Sequence, residues 1–403
     1  MPAVIISHRG VDRLRGGHPW IYRSDILRAE AEPGDLVDVV SERGRPLAVA
    51  FWSSASQIAL RVLRRHGDRS ARAREREVAP PSPDGDPAAA LMRDRLVAAM
   101  AYRQTLQIED TAWRLVNAES DGLPGLIVDR YADWLVVQTL VQATDRRLAL
   151  ITALLAELVQ PRGILARNDP RVRRLEGLEE QVAVVFGDVP DTVEVLAGGI
   201  RQRVDLRHGQ KTGLFLDQRE NHRAASAYTT GRALDAFCYQ GGFALQMARK
   251  AEQVIALDSS APALRVLQDT AAMNAVSNVE TREVNVFDEL RELEVSGERF
   301  DTIVLDPPAF AKNKAAVPRA VAGYKEINLR AFKLLRAGGH LVTCSCSYNV
   351  DQALFLHILE QAAADAQATV ALVEQRQQAR DHPVLLGVPE THYLKCMVLR
   401  RVG

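Results

Sequence analysis

The chain is expected to fold as an α/β protein, with a doubly wound and mostly parallel sheet in its C-terminal half. A small β-rich module and a central α+β module precede that sheet. Three observations carry this expectation. From about residue 200 onward, short apolar runs alternate with helical periodicities, the pattern of strands joined by crossover helices. Four of those runs, LDAFCYQGGF (234–243), VIALDSS (254–260), VNVFD (284–288) and FDTIVLDPPAF (300–310), carry an aspartate at or near the end of the apolar stretch. A fifth, LVTCSCS (341–347), closes on two cysteines. Apolar runs of this length that end in turn residues read as buried parallel strands.

Upstream elements follow in order. DLVDVV (35–40), PLAVAFW (46–52) and QIALRVLR (57–64) alternate with the period of strands and suggest a compact barrel or sandwich. The Pro-, Gly- and Asp-rich segment EVAPPSPDGDPAAA (77–90) reads as a linker. AALMRDRLVAAMAYRQTL (89–106) has helical spacing. RLVNAE, GLIVDRY and WLVVQTL (114–140) read as strands, followed by a helix (145–158) and strands at 163–167, 181–186 and 192–196. The expected division is a β-rich domain (1–75), a linker (76–90), an α+β domain (91–198) and the sheet domain (199–403), which opens with a hairpin segment (199–222). There is no internal repeat.

The 403-residue chain is too long for one ordinary domain. No uninterrupted apolar stretch approaches the roughly 20 residues of a membrane helix, so no membrane partner is expected. The opening MPAVIISHRGVDRLRGG lacks the apolar core of a signal peptide, and four cysteines make no disulfide framework. A cytoplasmic location is expected. Net charge is zero, so the distribution carries the information. Residues 1–74 hold 13 arginines against 8 aspartates and glutamates, a basic surplus that suits a nucleic-acid footprint. Every lysine lies after residue 210, so the surplus also fits an Arg-rich composition bias.

In an open α/β sheet, ligands bind outside the carboxyl ends of the strands. Asp235, Asp258, Asp288 and Asp306 are therefore expected round one crevice. Taken singly, each is also what a helix cap or a turn uses. Gly241 and Gly242 follow the first of these strands and remove side chains where a ligand approaches the backbone. Asp258 lies 17 residues beyond Gly241, close to the spacing that grips ribose hydroxyls. No P-loop is present, which leaves a dinucleotide or S-adenosylmethionine as cofactor.

Asp306-Pro307-Pro308-Ala309-Phe310 discriminates between them. Two prolines fix φ and make a stiff shelf with a carboxylate at its start. Phe310 can cover a planar base while the acid bonds a ring nitrogen or amine. Hydride transfer has no use for such a shelf. Cys344 and Cys346 are expected at the same edge, where a thiolate with access to solvent is a nucleophile. No cysteine or histidine spacing points to a metal.

With these motifs the chain resembles the class I S-adenosylmethionine-dependent methyltransferases, and specifically the bacterial 5-methylcytosine methyltransferases of large-subunit ribosomal RNA with an N-terminal PUA domain. RLRGGHPWIYRSDI (13–26), RLVNAESDGLPGLIVDRY (114–131) and DLRHGQKTGLFLDQRENH (205–222) extend the resemblance over nearly the whole chain. It implies a Rossmann-like methyltransferase sheet behind a PUA-like domain, and S-adenosylmethionine held by Asp235, Phe237, Cys238, Gly241, Gly242, Asp258, Asp288, Asp306 and Pro307. Gln210, Lys211, Thr212, Phe215 and Arg219, in the segment before the sheet, are implied to line the same pocket. Cys346 is implied as nucleophile, with Asp306 beside it and Cys344 as an assisting group, and Pro308 and Phe310 meeting the target base. Arg9, Arg13, Arg15 and His18 are implied to contact ribosomal RNA, while Trp20 and Tyr22 are expected in the small module's core. In a related branch a cysteine follows the two prolines; here that place holds Ala309. The alternative is an amino-directed methyltransferase that uses the same shelf without a covalent thiol. The modified nucleotide and the oligomeric state stay open, a homodimer being one arrangement the sequence allows. The tail THYLKCMVLRRV (391–402) reads as an edge strand.

Overall fold

The computed structural model describes residues 1–67 and 85–403. Most of the expected linker and the end of the basic run RVLRRHGDRSARARER (61–76) lie outside the described residues. The chain gathers into two compact units. The first comprises Met1–Val195, Val204–Phe215 and Asp381–Thr391; the second comprises Leu196–Arg203, Leu216–Arg380 and His392–Gly403.

In the first unit, alternating apolar residues build a six-stranded sheet from β1 (Ala3–Ile6), β2 (Trp20–Tyr22), β3 (Ile26–Ala29), β4 (Leu36–Ser41), β5 (Pro46–Trp52) and β6 (Ile58–Arg65). Its order is β2-β6-β5-β4-β1-β3. One face buries Val4, Ile6, Ile21, Val37, Val39 and Leu60. The other face sends Leu36, Val49, Phe51 and Leu63 into a second core shared with Met92 and Leu96 of the helix Ala89–Thr105. That core continues into a five-stranded sheet of β7 (Ala112–Asn117), β8 (Leu126–Tyr131), β9 (Trp134–Thr139), β10 (Gly163–Asn168) and β11 (Gln181–Gly187). Its order is β11-β10-β9-β8-β7. Trp20 and Tyr22 depart from expectation. They flank the buried Ile21 on the half-exposed side of β2, because neighbouring strand residues face opposite ways. The Trp20 indole donates to Glu119 at 3.1 Å, and the Arg13 guanidinium lies 4.6 Å over the Tyr22 ring. A two-stranded ribbon of β12 (Thr192–Ala197) and β13 (Ile200–Asp205) follows.

The second unit is built on a seven-stranded sheet of β14 (Arg232–Ala236), β15 (Gln253–Asp258), β16 (Val279–Glu283), β17 (Phe300–Leu305), β18 (Leu335–Ser345), β19 (Val370–Arg376) and β20 (Lys395–Arg401). The order is β16-β15-β14-β17-β18-β20-β19. The first five strands run parallel, and β20 pairs antiparallel with both β18 and β19. Sequence order reverses between β14 and β17, which makes their carboxyl ends the switch point where such sheets bind ligands. Leu234, Ala236, Ile303 and Leu305 face one core with Tyr324 and Phe332, while Ala233, Val304 and Val342 face another with Phe243 and Met247. Burial on both faces explains why these strands read as continuous apolar runs.

Two expectations need correcting. VNVFD does not close the third parallel strand. That strand is the more polar Val279–Glu283, and Asp288 sits in the first turn of the helix Val286–Val295, capped by Asn285. Val286 and Phe287 of the segment are helix residues, and the helix buries Val286 and Leu290. The tail is not an edge either: β20 is inserted between β18 and β19, so Met397 and Val398 are fully buried.

Candidate functional site

The site is built on the carboxyl ends of β14, β15, β17 and β18. After β14 the chain winds through Phe237 (φ +68°), Tyr239 (φ +49°) and Gly241 (φ +81°) before the helix Gly242–Met247 starts. Two strand-end carboxylates hold this turn. Asp235 Oδ2 accepts the Ala244 amide at 2.8 Å, capping the helix from inside the sheet. Asp258 accepts the Tyr239 amide with one oxygen and the Ser260 amide with the other, each at 2.8 Å, and so ties the β14 turn to the β15 turn. The glycines are needed for a reason the sequence does not display. A Cβ on Gly241 would stand 2.5 Å from Leu267, and one on Gly242 would stand 2.3 Å from the ring of His222. Both glycines admit packing side chains. His222 also meets Phe243 edge-on at 4.5 Å between ring centres. Burial pushes its imidazole down to about 4, against a smaller opposing pull from Asp217.

Asp235 is fully buried, and its Oδ1 has no hydrogen-bond partner. Burial, then the carboxylates of Asp306 and Asp258, hold its carboxyl well above the usual carboxylate range. Three acids thus converge on the switch point, and the innermost has an unsatisfied oxygen. An uncompensated buried acceptor of this kind calls for a donor or a cation. Asp306, the first residue beyond β17, accepts the Gln218 side-chain amide at 2.9 Å. Gln218 in turn accepts from Asn221 at 2.6 Å, and Asn221 accepts from Arg376 at 2.9 Å. Gln218, in the segment DLRHGQKTGLFLDQRENH, carries no sequence signal beyond a polar residue at a position that turns out to be buried.

The two cysteines of the SCS segment part company. Cys344 is within β18, opposite Cys396, and fully buried with Cys238, Val342 and Val398. Burial, then Cys396, then Asp306 push its thiol well up. Cys238 is pushed up as well, by burial first and Asp235 second. Cys346 lies one residue past the strand, half-buried, with its sulfur 3.9 Å from the Pro307 carbonyl. The segment around it is held by Ser347. The Ser347 hydroxyl accepts the Ala311 amide at 3.1 Å and bonds the Tyr324 hydroxyl at 3.0 Å. Its carbonyl accepts from the buried ammonium of Lys395 at 2.7 Å. The proline shelf and the thiol turn are therefore one hydrogen-bonded assembly. Pro307 is buried and Pro308 exposed. Phe310 is half-buried in a row of rings, 5.9 Å from Phe287 and 4.7 Å from Tyr324. Phe237 meets Phe287 in the same row at 5.9 Å.

Other expected residues are less centrally placed. Asp288 is exposed and paired with Arg291 at 3.3 Å. Gln210, Lys211, Thr212 and Phe215 belong to the first unit, and Arg219 to the second. Thr212 is buried and donates to Asp129 at 2.6 Å, while Lys211 lies 4.5 Å over the Phe215 ring. Arg9 and Arg13 both reach the fully buried carboxylate of Asp25. Arg15 pairs with Asp12 at 3.8 Å and His18 with Glu390 at 3.7 Å. Among the described residues, no cluster of histidine, cysteine and acidic side chains is placed to hold a metal ion, and no helix is long and apolar enough to cross a membrane.

A family model for S-adenosylmethionine-dependent methyltransferases matches residues 141–400, well over half the chain. The chain belongs to the S-adenosylmethionine-dependent methyltransferase family. A PUA-like domain model matches residues 4–65. Ribosomal RNA large subunit methyltransferase I of Aeromonas hydrophila subsp. hydrophila is 40% identical over 413 residues, covering 99% of this chain and 100% of that protein. The protein of the same name from Tolumonas auensis is 39% identical over 96% of both chains. Among solved structures, a provisionally assigned methyltransferase from Streptococcus mutans superposes with a TM-score of 0.80 over 100% of both chains, at 17% identity, which shows the shared fold. The methyltransferase's cofactor is S-adenosylmethionine, and the residues present fit it. That molecule carries a sulfonium and an ammonium, and its ribose offers hydroxyl donors. A pocket with three acids and an orphaned buried carboxylate oxygen suits both features.

Proposed function

We propose that this methyltransferase modifies carbon 5 of a cytosine in large-subunit ribosomal RNA through a covalent bond to Cys346. The observation that carries the reading is the position of the Cys346 thiol. It is half-exposed at the switch-point edge, against the Pro307 carbonyl and one residue along the shelf from Asp306, while the other three cysteines are buried. The names of the relatives support large-subunit ribosomal RNA as substrate. The PUA-like match supports RNA contact by the first domain, with Arg9, Arg13, Arg15 and His18 as its candidate groups. The division into a PUA-like domain, a linker, a central domain and a methyltransferase domain belongs to the same proposal.

Carbon 5 of cytosine is a poor nucleophile. Addition of the Cys346 thiolate to carbon 6 forms a carbon–sulfur bond and moves the ring electrons towards carbon 5 and the ring nitrogen. Asp306 hydrogen-bonds or protonates that nitrogen as charge develops, and Gln218 fixes the orientation of its carboxylate. S-adenosylmethionine, when bound, supplies an electrophilic methyl group for the enriched carbon. A base then takes the carbon 5 proton, and breakage of the carbon–sulfur bond restores the ring and releases the thiolate. The target base must leave its stack to reach the shelf, which requires single-stranded or flipped RNA. Burial of Cys344 weighs against its acting as the assisting base, since a thiol pushed so far up stays protonated.

The test uses wild type and Cys346→Ala with labelled S-adenosylmethionine and unmodified large-subunit ribosomal RNA. Wild type is expected to yield 5-methylcytosine and the variant none. A methylated amine as product, or methyl transfer that survives in the variant, would assign the shelf to amino-directed chemistry instead.

A further inference from the structure

Lys395 is a lysine with almost no exposed surface, and the chemistry above does not use it. It is 2% exposed and opens β20, directly opposite Ser345 in the antiparallel register. Its ammonium donates to the carbonyls of Ser347 at 2.7 Å and Tyr393 at 3.0 Å. Neither acceptor carries a charge. Removing an ammonium from water is unfavourable unless an anion or a full set of acceptors replaces the solvent. The Ser347 carbonyl belongs to the residue that follows Cys346, so the charge is anchored on the thiol's own turn.

We infer that Lys395 is a positioning residue for the nucleophile: its buried ammonium pins the Ser345–Ser347 turn against the proline shelf and favours the thiolate form of Cys346. The inference deepens the proposed role of Cys346 and rests on it. Cys346 and Asp351 are the groups that pull the Lys395 ammonium towards its charged form, against a burial effect that brings it down to about 8. His392 also senses the lysine. From the other elements packed here, Tyr324 offers a hydroxyl bonded to Ser347, and Asp306 stands at the start of the shelf. Asp306 and Asp351 disfavour a thiolate, and the Lys395 ammonium is a cation on this edge that can offset them. Formation of the thiolate releases its proton to solvent through the half-exposed side of Cys346, and the resulting pair answers the unfavourable burial of the lysine.

The experiment measures alkylation of Cys346 by iodoacetamide in the full chain as a function of pH, with the modified peptide identified by mass. Wild type, Lys395→Met and Lys395→Arg are compared. The rate in wild type is expected to reach half its plateau below the ordinary thiol value of about 8.5. Lys395→Met should move that midpoint upward by about one pH unit or more, and Lys395→Arg should keep most of the wild-type position. Loss of packing alone would change the plateau rate and leave the midpoint in place. An ordinary midpoint in wild type overturns the inference even if Lys395→Met does not fold, and so does an unmoved midpoint in a folded Lys395→Met. Methyl transfer by Cys346→Ala, measured alongside, separates the two readings. A shifted midpoint with transfer surviving in Cys346→Ala keeps the lysine–thiol coupling and ends the covalent mechanism. An unshifted midpoint with transfer lost does the reverse.

Discussion

On the β14–β15 side of the crevice, carboxylates close backbone turns: Asp235 takes the Ala244 amide, and Asp258 takes those of Tyr239 and Ser260. On the β17–β18 side, a hydroxyl and an ammonium close the turn, and the reactive sulfur stands at its outer surface. The first side presents the carboxyl groups of Asp235 and Asp258. The second has the Lys395 ammonium bonded to the turn that carries the half-buried Cys346 thiol, with the Asp306 carboxylate at the start of the shelf. The two sides of one sheet edge thus differ in what closes their turns, and they meet at the strand pair where chain order reverses, with Asp306 on the β17 side.

The comparison can be broken most decisively at the sulfur. Cys346→Ala is expected to lower methyl transfer by ~10³-fold or more, whereas Cys344→Ala should stay within a few-fold. Product counting on ribosomal RNA checks both, and equal losses in the two variants would erase the distinction between exposed and buried thiol. Next in size is an acid-sensitive effect on the carboxylate side. His222 is near 4 when folded and about 6.5 when unfolded, so the folded chain binds fewer protons between those values. Its contribution is fully present above about pH 6.5 and is lost as pH falls towards 4, by about 3 kcal/mol at most. The unfolding free energy from denaturant melts should fall as pH drops across that window for wild type and fall less for His222→Gln; parallel pH profiles would refute the assignment. Gly242→Ala drives a methyl group into the same imidazole and should cost about 2 kcal/mol of stability, read as a lower denaturation midpoint. Asp258→Asn, the mildest, should cost about 1 kcal/mol and weaken binding of S-adenosylhomocysteine, which calorimetry measures directly. An unchanged affinity would confine Asp258 to bracing the two turns.

The legible parts of this architecture were those with a one-dimensional signature. β14, β15 and β17 are buried on both faces, so their sequences are unbroken apolar runs, and the acids Asp235, Asp258 and Asp306 punctuate their ends. The glycine turn and the proline shelf announce themselves through residues that restrict or free the backbone. What escaped were features whose meaning depends on partners far along the chain. The run containing Asp288 is apolar enough for a strand but too short to reveal its period, and the Asn285 cap makes it a helix. β20 resembles any charged tail strand until β18 and β19 are seen on either side. Gln218 and Lys395 look like surface residues in sequence, and only the folded chain brings them to Asp306 and Ser347. Gly241 and Gly242 are expected from the sequence to leave a ligand room at the backbone, whereas the structure fills the space beside them with protein side chains. The neighbours that fill the space, Leu267 and His222, could not be named in advance.

The insertion of β20 between β18 and β19 has a consequence in time. A chain emerging during synthesis makes β20 after every other strand of this sheet, and β19 has β20 as its partner in the sheet. Until residue 395 is available, β18 is an open border and the thiol turn lacks its lysine. A nascent chain can therefore assemble the β14–β15 turns before the Cys346 turn is complete. The turn that holds Cys346 is then among the last parts of this edge to be completed, after the β14 and β15 turns are already in place.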